Sequence, residues 1–499
     1  MSLAFLALLP VAFVMLALAR LKMPAHLAGV CMLALSAVLA LSAWKANGAS
    51  VLEAGAEGLF LAFCPVIWVI FCALLTYNMT VETGAMDVIV ALLKSVSGDR
   101  RILALAISFC FGGFLEAAAG FGTAVAIPAG ILAAIGFPPM SAAIICLAAN
   151  TVPVAFGVMG IPIMTLASVT GLDLGLTSLY AAIQLLPLAI ALPVFIVFLA
   201  SGGVKEAKGA VIPAIASGAA FGVVQVAVAV LAGPELAASA GSIAAFLALI
   251  ATAKLVGAKP GEPAKGVNAA KALKAASPYI IVMALALAAS FWLKFLKSDP
   301  FLLRFRFYSG EGGTEQTFAY LSNPGTIFLV AGIAGSLIYG AKPQDMAQAL
   351  AKTAKQVSRS AIAVATLMMS ARIMAHSGMI SSLANLMSGA GMAFPILSPV
   401  VGALGTFVTG SDTSSNVLFG PLQKETAIQA GLNVSWIAAA NASGATIGKM
   451  ISPQSIAIAS SSINIKGGQG ELLKKGIKYA AVMALALAGI VLAGSLLLG

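Results

Sequence analysis

The amino-acid sequence predicts an all-α polytopic membrane protein with about 12 transmembrane helices plus two re-entrant hairpins in inverted-topology repeats. Its composition supports this class, because 61% of the 499 residues are hydrophobic and only 9% are charged. A soluble globular protein carries about 25% charged residues. The 50 glycines and 22 prolines also indicate interrupted and closely packed helices, since both residues are more frequent in membrane helices than in soluble ones. Such a composition favours a transport protein.

Twelve apolar runs are interpreted as membrane spans. Two further stretches, 102–136 and 394–430, are apolar at both ends and polar or glycine-rich in the middle, so we expect each to form a hairpin that returns to its own side. Around 79–98 and 342–358, polar and apolar residues alternate at helical spacing, which is typical of helices lying in the membrane interface. The predicted spans are 2–19, 26–44, 58–77, 140–168, 178–200, 209–232, 240–257, 278–296, 324–340, 359–376, 434–462 and 478–498.

Basic residues are distributed unevenly among the loops. With the N-terminus placed outside, 20 of the 28 Lys and Arg residues fall in loops on one side. By the positive-inside rule this side is cytoplasmic, so both termini are expected outside. Topology therefore accounts for the net charge of +11 without a nucleic-acid partner. Only Arg372, Lys424 and Lys449 remain in or near the membrane.

Neither the first apolar run nor the cysteines indicate processing or metal binding. The first apolar run, 2–19, has no basic residue before it, so it is expected to stay as the first span and not to be a cleaved signal peptide. The five cysteines all lie in apolar segments without metal-ligand spacing. They are interpreted as packing residues, and no metal site or cofactor is predicted.

A weak internal repeat relates the two halves of the chain. Asn150, Gly157 and Pro162 recur as Asn441, Gly448 and Pro453 at a constant offset of 291. The charge distribution makes the first copy enter from the cytoplasm and the second from outside, so the repeat is inverted, an arrangement that places a binding site near the bilayer midplane. Three further pairs occur in the same order: Gly112 and Phe114 with Gly405 and Phe407, Thr83-Gly84 with Ser377-Gly378, and Tyr180-Ala181-Ala182 with Tyr479-Ala480-Ala481.

The repeat suggests how the chain is organised. The Pro-, Gly- and Lys-rich stretch 258–277 is the expected cytoplasmic linker between the halves. The predicted parts are scaffold helices in 1–57, a first transport repeat in 58–200 with hairpin 102–136, connecting helices in 201–257, the linker, scaffold helices with an external loop in 278–358, and a second transport repeat in 359–499 with hairpin 394–430.

The first hairpin tip places an acidic residue among glycines. Glu116 precedes Gly120, Gly122 and Thr123, and arms of about 15 residues reach only half way across a bilayer. Backbone N–H groups at the start of the second arm would then point at the midplane with the positive end of a helix dipole, which suits an anion. Glu116 is a candidate proton carrier, with a structural ion pair or cap as the alternative.

The second tip is the most polar part of any apolar segment. It contains Ser411, Asp412, Thr413, Ser414 and Ser415 in succession. So many hydrogen-bonding groups at mid-membrane depth are too costly for passive packing, so we predict a substrate site there. Asp412 is a candidate proton carrier, although it could instead be the N-cap of the following arm.

Broken helices are predicted beside these tips, at 150–153 in the first half and at 441–444 and 448–453 in the second. Asn150, Asn441 and Ser443 are the expected ligands there. Lys449 could bind a carboxylate substrate or form a salt bridge to Asp412 or Glu116.

Two further basic side chains stand one helical turn apart near the outer end of span 359–376. Arg372 could snorkel to the surface or line the pathway. His376 is a weak candidate for proton coupling, because it could titrate near neutral pH.

Three segments carry a family resemblance that runs along almost the whole chain. FLEAAAGFGTAVAI, GSDTSSNVLFG and GKMISPQSIA resemble the signature segments of the bacterial lactate permease family, with Ala117 and Ala124 as small departures. The resemblance implies a multi-pass protein of the bacterial inner membrane that imports lactate or glycolate with protons. The lactate permease family is also similar in plan to the wider ion transporter superfamily, in which two re-entrant hairpins and two broken helices form the substrate site.

The predicted function is therefore secondary transport of a small 2-hydroxymonocarboxylate by proton symport. Its carboxylate would bind hairpin-tip N–H groups and Lys449, and its hydroxyl would bind Asn or Ser side chains. Sodium coupling remains an alternative, because Ser, Thr and Asn oxygens can bind Na⁺. A membrane-embedded enzyme is the rival class, but neither of the two histidines lies near Ser411 or Ser414 in the sequence, so no catalytic residues are predicted.

Overall fold

The computed structural model describes residues 2–19, 21, 23–120, 122–261, 267–310, 315–463 and 469–498. Within these ranges, 11 helices are long and apolar enough to cross a membrane. The apolar helices Leu3–Leu18 and Pro324–Tyr339 are somewhat shorter. Large apolar side chains such as Leu247, Val482 and Leu485 face outward, as expected for a surface in contact with lipid. The chain is thus an integral multi-pass membrane protein.

The first half contains ten helices before the long connecting ones. A helix at Trp68–Glu82 continues the helix Gly48–Leu61 through a π-helical turn at Ala62–Ile67, which contains Pro65, a residue without a backbone N–H. A second π-helical turn, Ala106–Phe111, joins the helices Arg100–Leu105 and Gly112–Ala118, and a 3₁₀ turn, Pro153–Phe156, precedes the helix Gly157–Thr170. The helices are α1 Ser2–Ala19, α2 Ala25–Ser42, α3 Gly48–Leu61, α4 Trp68–Glu82, α5 Ala85–Lys94, α6 Arg100–Leu105, α7 Gly112–Ala118, α8 Thr123–Ala134, α9 Pro139–Ala149 and α10 Gly157–Thr170.

The remainder of the chain begins with three long helices that pack on one another in sequence order, followed by α14 and a small sheet. The strands β1 Leu302–Phe305 and β2 Gln316–Ala319 pair antiparallel within the predicted external loop. The helices are α11 Leu174–Ser201, α12 Val204–Leu231, α13 Pro234–Leu255, α14 Ala269–Phe291, α15 Pro324–Tyr339, α16 Pro343–His376, α17 Met379–Met387, α18 Phe394–Thr409, α19 Asp412–Gln429, α20 Val434–Ile451, α21 Pro453–Ser462 and α22 Gln469–Leu498.

The order of elements repeats between the halves. Helices α4 and α16 each end at a left-handed glycine, Gly84 (φ 75°) and Gly378 (φ 87°), that begins a short helix. A helical hairpin, a broken helix and a long helix then follow in both halves. The pairs found in the sequence therefore occupy equivalent places in the fold.

Two predicted boundaries were wrong. The interface helix 342–358 and the span 359–376 form the single helix α16, because neither Gly nor Pro interrupts the junction between them. The predicted break at 441–444 lies inside the continuous helix α20, because that stretch contains no proline.

The break in the second half instead comes at Ser452, just before Pro453, as expected for a residue that proline biases away from helical geometry. Its counterpart in the first half lies just before Pro162, where Val158, Met159 and Gly160 adopt left-handed backbone angles. The predicted linker 258–277 is partly helical, because α14 begins at Ala269. Several basic residues in the orientation argument (Arg20, Lys22, Lys265 and Lys466) lie outside the described residues.

Candidate functional site

A cavity of about 400 Å³ lies between the two hairpin tips and the broken helices. It collects most of the charged candidates in one place: Glu116, Asp412 and Lys449. The tips supply Gly122 and residues 409–414, and α10 and α21 supply further walls. The other predicted ligands that line it are Ser411, Thr413 and Ser414.

The first tip turns on two left-handed glycines. Gly120 (φ 58°) and Gly122 (φ 84°) reverse the chain, and the Thr123 hydroxyl donates to the Gly120 carbonyl at 2.7 Å. Thr123 thereby closes the turn, and its side chain is not among those that line the cavity. Helix α8 begins here, with Gly122 at the cavity wall.

The second tip begins α19 with a serine cap. Ser411 Oγ accepts a hydrogen bond from the Ser414 N–H at 3.2 Å, so Ser411 is the N-cap and the alternative of Asp412 as the cap is wrong. No acceptor is found within the described chain for the N–H groups of Asp412 and Thr413, which are the first two of α19. Both residues line the cavity, so these donors are available to a ligand.

A third helix N-terminus meets the same cavity. Ser452 caps α21 by accepting from the Ser455 N–H at 3.2 Å, Pro453 occupies the first helical position, and Gln454 and Ser455 line the cavity. The beginnings of α8, α19 and α21 therefore converge on one space. Because each helix start carries a partial positive charge and free N–H groups, this space favours an anion.

Three charged side chains complete the cavity. Lys449 Nζ lies 3.8 Å from Glu116 Oε1, with 15% and 3% of the two side chains exposed. Asp412 Oδ1 accepts from the Thr406 hydroxyl at 3.3 Å. Among the described residues, the second carboxylate oxygens, Glu116 Oε2 and Asp412 Oδ2, are buried without a hydrogen-bond partner. Unpaired buried carboxylate oxygens are costly, so both are places where a proton or a ligand would be stabilised.

Two predicted ligands bond within the protein instead of lining the cavity. The Ser415 hydroxyl donates to the Gly402 carbonyl at 2.8 Å and joins the two arms of the second hairpin. The Asn441 amide donates to Asn416 Oδ1 at 2.9 Å, and Asn416 in turn donates to the Pro162 carbonyl at 2.9 Å. These hydrogen bonds connect the two arms of the second hairpin with each other and with α10 and α20.

Asn150 and Ser443 are buried outside the cavity lining. Within the described chain, the side-chain amide nitrogen and oxygen of Asn150 have no hydrogen-bond partner. The Ser443 hydroxyl has none there either. The Thr151 hydroxyl beside Asn150 is likewise buried and without a partner there.

The sequence interpretation missed several residues of the cavity wall. His26 at the start of α2 and Arg359 in the middle of α16 line its rim. Arg359 is the first residue of the predicted span 359–376, and its distance along the chain from both hairpins concealed its position. Gln454 and Ser455 could have been found, because Ser452-Pro453 is a helix-start signal.

A second cavity, of about 870 Å³, lies on the side of β2 and contains His376 and Arg372. His376 Nε2 is 2.8 Å from Glu57 Oε2, and Arg372 Nη2 is 3.4 Å from Glu57 Oε1. Arg372 therefore points into the protein and not to the lipid surface, as snorkelling would require. Neither residue lines the first cavity, and Glu57, which was not recognised from sequence, is the buried group that joins them.

This protein has apolar helices around a polar cavity, with hairpins and broken helices at the cavity walls. These features place it in the class of membrane transport proteins, and comparison with known families identifies which family of transporters it is. The chain belongs to the L-lactate permease family, whose model matches residues 3–497. The first-half and second-half motifs thus lie within one continuous match.

Two named relatives are similar in sequence to this chain along nearly its full length. The chain is 38% identical over 445 residues to the L-lactate permease of Streptococcus iniae, which covers 87% of this chain and 93% of that protein. It is 33% identical over 532 residues to the glycolate permease GlcA of Escherichia coli strain K12, covering 96% and 93%.

Among solved structures, the fold is similar to that of MtrF from Neisseria gonorrhoeae, described as one of a class of antimetabolite efflux pumps. The TM-score is 0.54 at 13% identity, covering 94% of this chain and 96% of that chain. This likeness concerns the fold alone.

Proposed function

We propose that this protein is a secondary active transporter that imports a small 2-hydroxymonocarboxylate, L-lactate first and D-lactate or glycolate as related substrates, together with a proton. One observation carries the proposal: three helix N-termini and Lys449 face two buried carboxylates, each with an unpartnered oxygen among the described residues, in one cavity. The printed names of the relatives, L-lactate permease and glycolate permease, favour the same substrate class.

The charges of this cavity support coupling to one proton. Its charged lining residues are Lys449, Arg359, Glu116 and Asp412, so two positive and two negative charges cancel when both acids are ionised. A lactate anion alone would leave the cavity one unit negative in a poorly solvated space, which is unfavourable. A proton on either acid restores neutrality, so anion and proton enter more favourably together.

Alternating access would expose this cavity to one side at a time. Its rim contains Pro24, His26 and Arg359, near loops that the positive-inside rule assigns to the cytoplasm of a bacterial inner membrane. We therefore propose that this conformation is open inward and that the hairpins 102–136 and 394–430 return to their own sides. The transport repeats 58–200 and 359–499 would then move against the scaffold helices.

Sodium coupling is the second candidate, and it has its own observation. The side-chain oxygens of Asn150, Thr151 and Ser443 are buried without a hydrogen-bond partner in the described chain. Oxygen atoms of this kind bind hard cations. Sodium at that position would replace the proton as the coupled ion without changing the architecture.

Uptake of labelled L-lactate into proteoliposomes distinguishes these candidates. We expect accumulation when a proton gradient is imposed with equal sodium on both sides. A sodium gradient at equal pH should give no accumulation. Uptake driven by sodium alone would overturn the proton proposal, and no lactate uptake under either gradient would overturn the substrate class.

A further inference from the structure

We propose a second carboxylate-binding site, centred on Lys424 and Arg372, in the 870 Å³ cavity on the side of β2. Its ligand would be a small monocarboxylate, so the choice of ligand rests on the proposed function. The site would hold the substrate at the C-terminal end of α10, whereas the central cavity lies at its N-terminal end.

Both cations are held at the last turn of α10. Lys424 Nζ donates to the Thr170 carbonyl at 2.6 Å, and Arg372 Nη2 donates to the Ser168 carbonyl at 3.2 Å. These carbonyls are two residues apart, about 3 Å along the helix axis. The negative end of the helix dipole stabilises cations there, so the same helix end holds two basic side chains.

The hydrogen bonds to the end of α10 do not use all the N–H donors of Lys424 and Arg372. A lysine ammonium has three N–H donors, and Thr170 takes one. Arg372 Nε is buried without a partner among the described residues. Both cations line one cavity, and charge-assisted donors of this kind bind carboxylates.

The acids in and beside this cavity already have partners. Glu57, which does not line the cavity, accepts from Gln316 at 2.8 Å and pairs with His376 and with Arg372, one of the two cations of the site. Glu315 pairs with Arg304 at 3.2 Å.

Glu425 accepts from Gln429 at 3.1 Å. Within the described residues no carboxylate lies within 4.0 Å of Lys424 Nζ, so its positive charge is the one that a ligand would neutralise.

The two cavities share one wall residue. Ile161, 1% exposed, lines both cavities and follows the left-handed residues Val158, Met159 and Gly160. Lys424 contacts the other end of α10, at Thr170, nine residues or about 14 Å along the helix axis from Ile161. A ligand bound at Lys424 would therefore occupy a site distinct from the central cavity.

Protection of an introduced thiol tests the site directly. Ser381 lines the same cavity, so S381C is made in a protein whose exposed Cys31 and half-buried Cys64 are replaced by Ala, leaving the three buried cysteines unchanged. The rate of modification by a negatively charged methanethiosulfonate is measured with increasing L-lactate. Chloride at equal ionic strength is the salt control, and lactamide is the neutral control.

We expect L-lactate to slow modification saturably and lactamide to leave it unchanged. K424M should raise the half-protecting concentration about tenfold or more, as expected for losing a hydrogen bond to a charged group, and K424R should retain protection. Protection should persist in E116Q/K449M, which removes the lysine of the central cavity without leaving Glu116 as an unpaired buried charge.

Three results would overturn the site: equal protection by lactamide, loss of protection in E116Q/K449M but not in K424M, or no modification of S381C at all. Failure of the proposed function would look different, because protection would persist while proteoliposomes took up no lactate.

Discussion

The pair formed by Glu116 and Lys449 allows a sharp test of the central cavity. Their charged atoms are 3.8 Å apart with little exposure, and at an effective dielectric constant of about 20 two unit charges at this distance attract by about 4 kcal/mol. Removing one partner of such a buried pair costs about 3–5 kcal/mol, because the other charge stays uncompensated. K449M should therefore lower stability by an amount of that order and abolish lactate uptake.

The double variant E116Q/K449M separates a structural role of Lys449 from substrate binding. Without either charge, the desolvation penalty disappears, so thermal unfolding in detergent should return close to the wild-type midpoint. Uptake into proteoliposomes should stay absent, because the substrate carboxylate has lost its cation. A double variant that both folds and transports like wild type would refute the assignment of Lys449 to the substrate.

Three further predictions follow from the geometry. D412N should fold normally but lose proton-driven accumulation of lactate, whereas undiminished accumulation would remove Asp412 from the mechanism. A Cβ at Gly444 would overlap a backbone carbonyl of α18, whereas Gly489 has open space, so G444A should prevent stable folding and G489A should be neutral or stabilising by up to about 1 kcal/mol, as measured by thermal unfolding. The hydrogen bond from Arg101 holds the pKa of Asp99 below its ordinary value, so Asp99 stabilises the fold above its unfolded pKa, and the difference in unfolding midpoint between wild type and D99N should vanish as pH falls through the folded pKa.

Much of the central cavity was predictable, because its signals are local. Glycines around Glu116 and a polar run at 411–415 stand out inside apolar segments, and each marks the place where a helix must begin again. The fold does bring these tips together with Lys449. Physical chemistry at single positions was enough to select them, since charges and chain reversals are expensive in a membrane.

Interactions between distant segments were not predictable. Glu57 is buried by partners 259 and 319 positions away, Gln316 and His376, and nothing in its own neighbourhood indicates them. Asn441 was selected because the predicted helix break there recurs in both halves, but its amide is used by Asn416 on another helix. The sequence pattern identifies groups that need a partner, and only the packing decides whether the partner is a ligand or the protein.

The two halves share their architecture but differ in the chemistry of equivalent positions. At the offset of 293 that relates Gly112 to Gly405, Glu116 corresponds to Thr409, and Asp412 to Ala119. At the offset of 291, Lys449 corresponds to Val158, the residue held in a left-handed conformation. Each half therefore supplies one acid, and only the second supplies the lysine, so the closest ion pair in the cavity joins one half to the other. A symmetric site would present the same groups to both ends of a ligand, whereas the lysine of this cavity comes from the second half alone, an asymmetry that suits the proposed monocarboxylate.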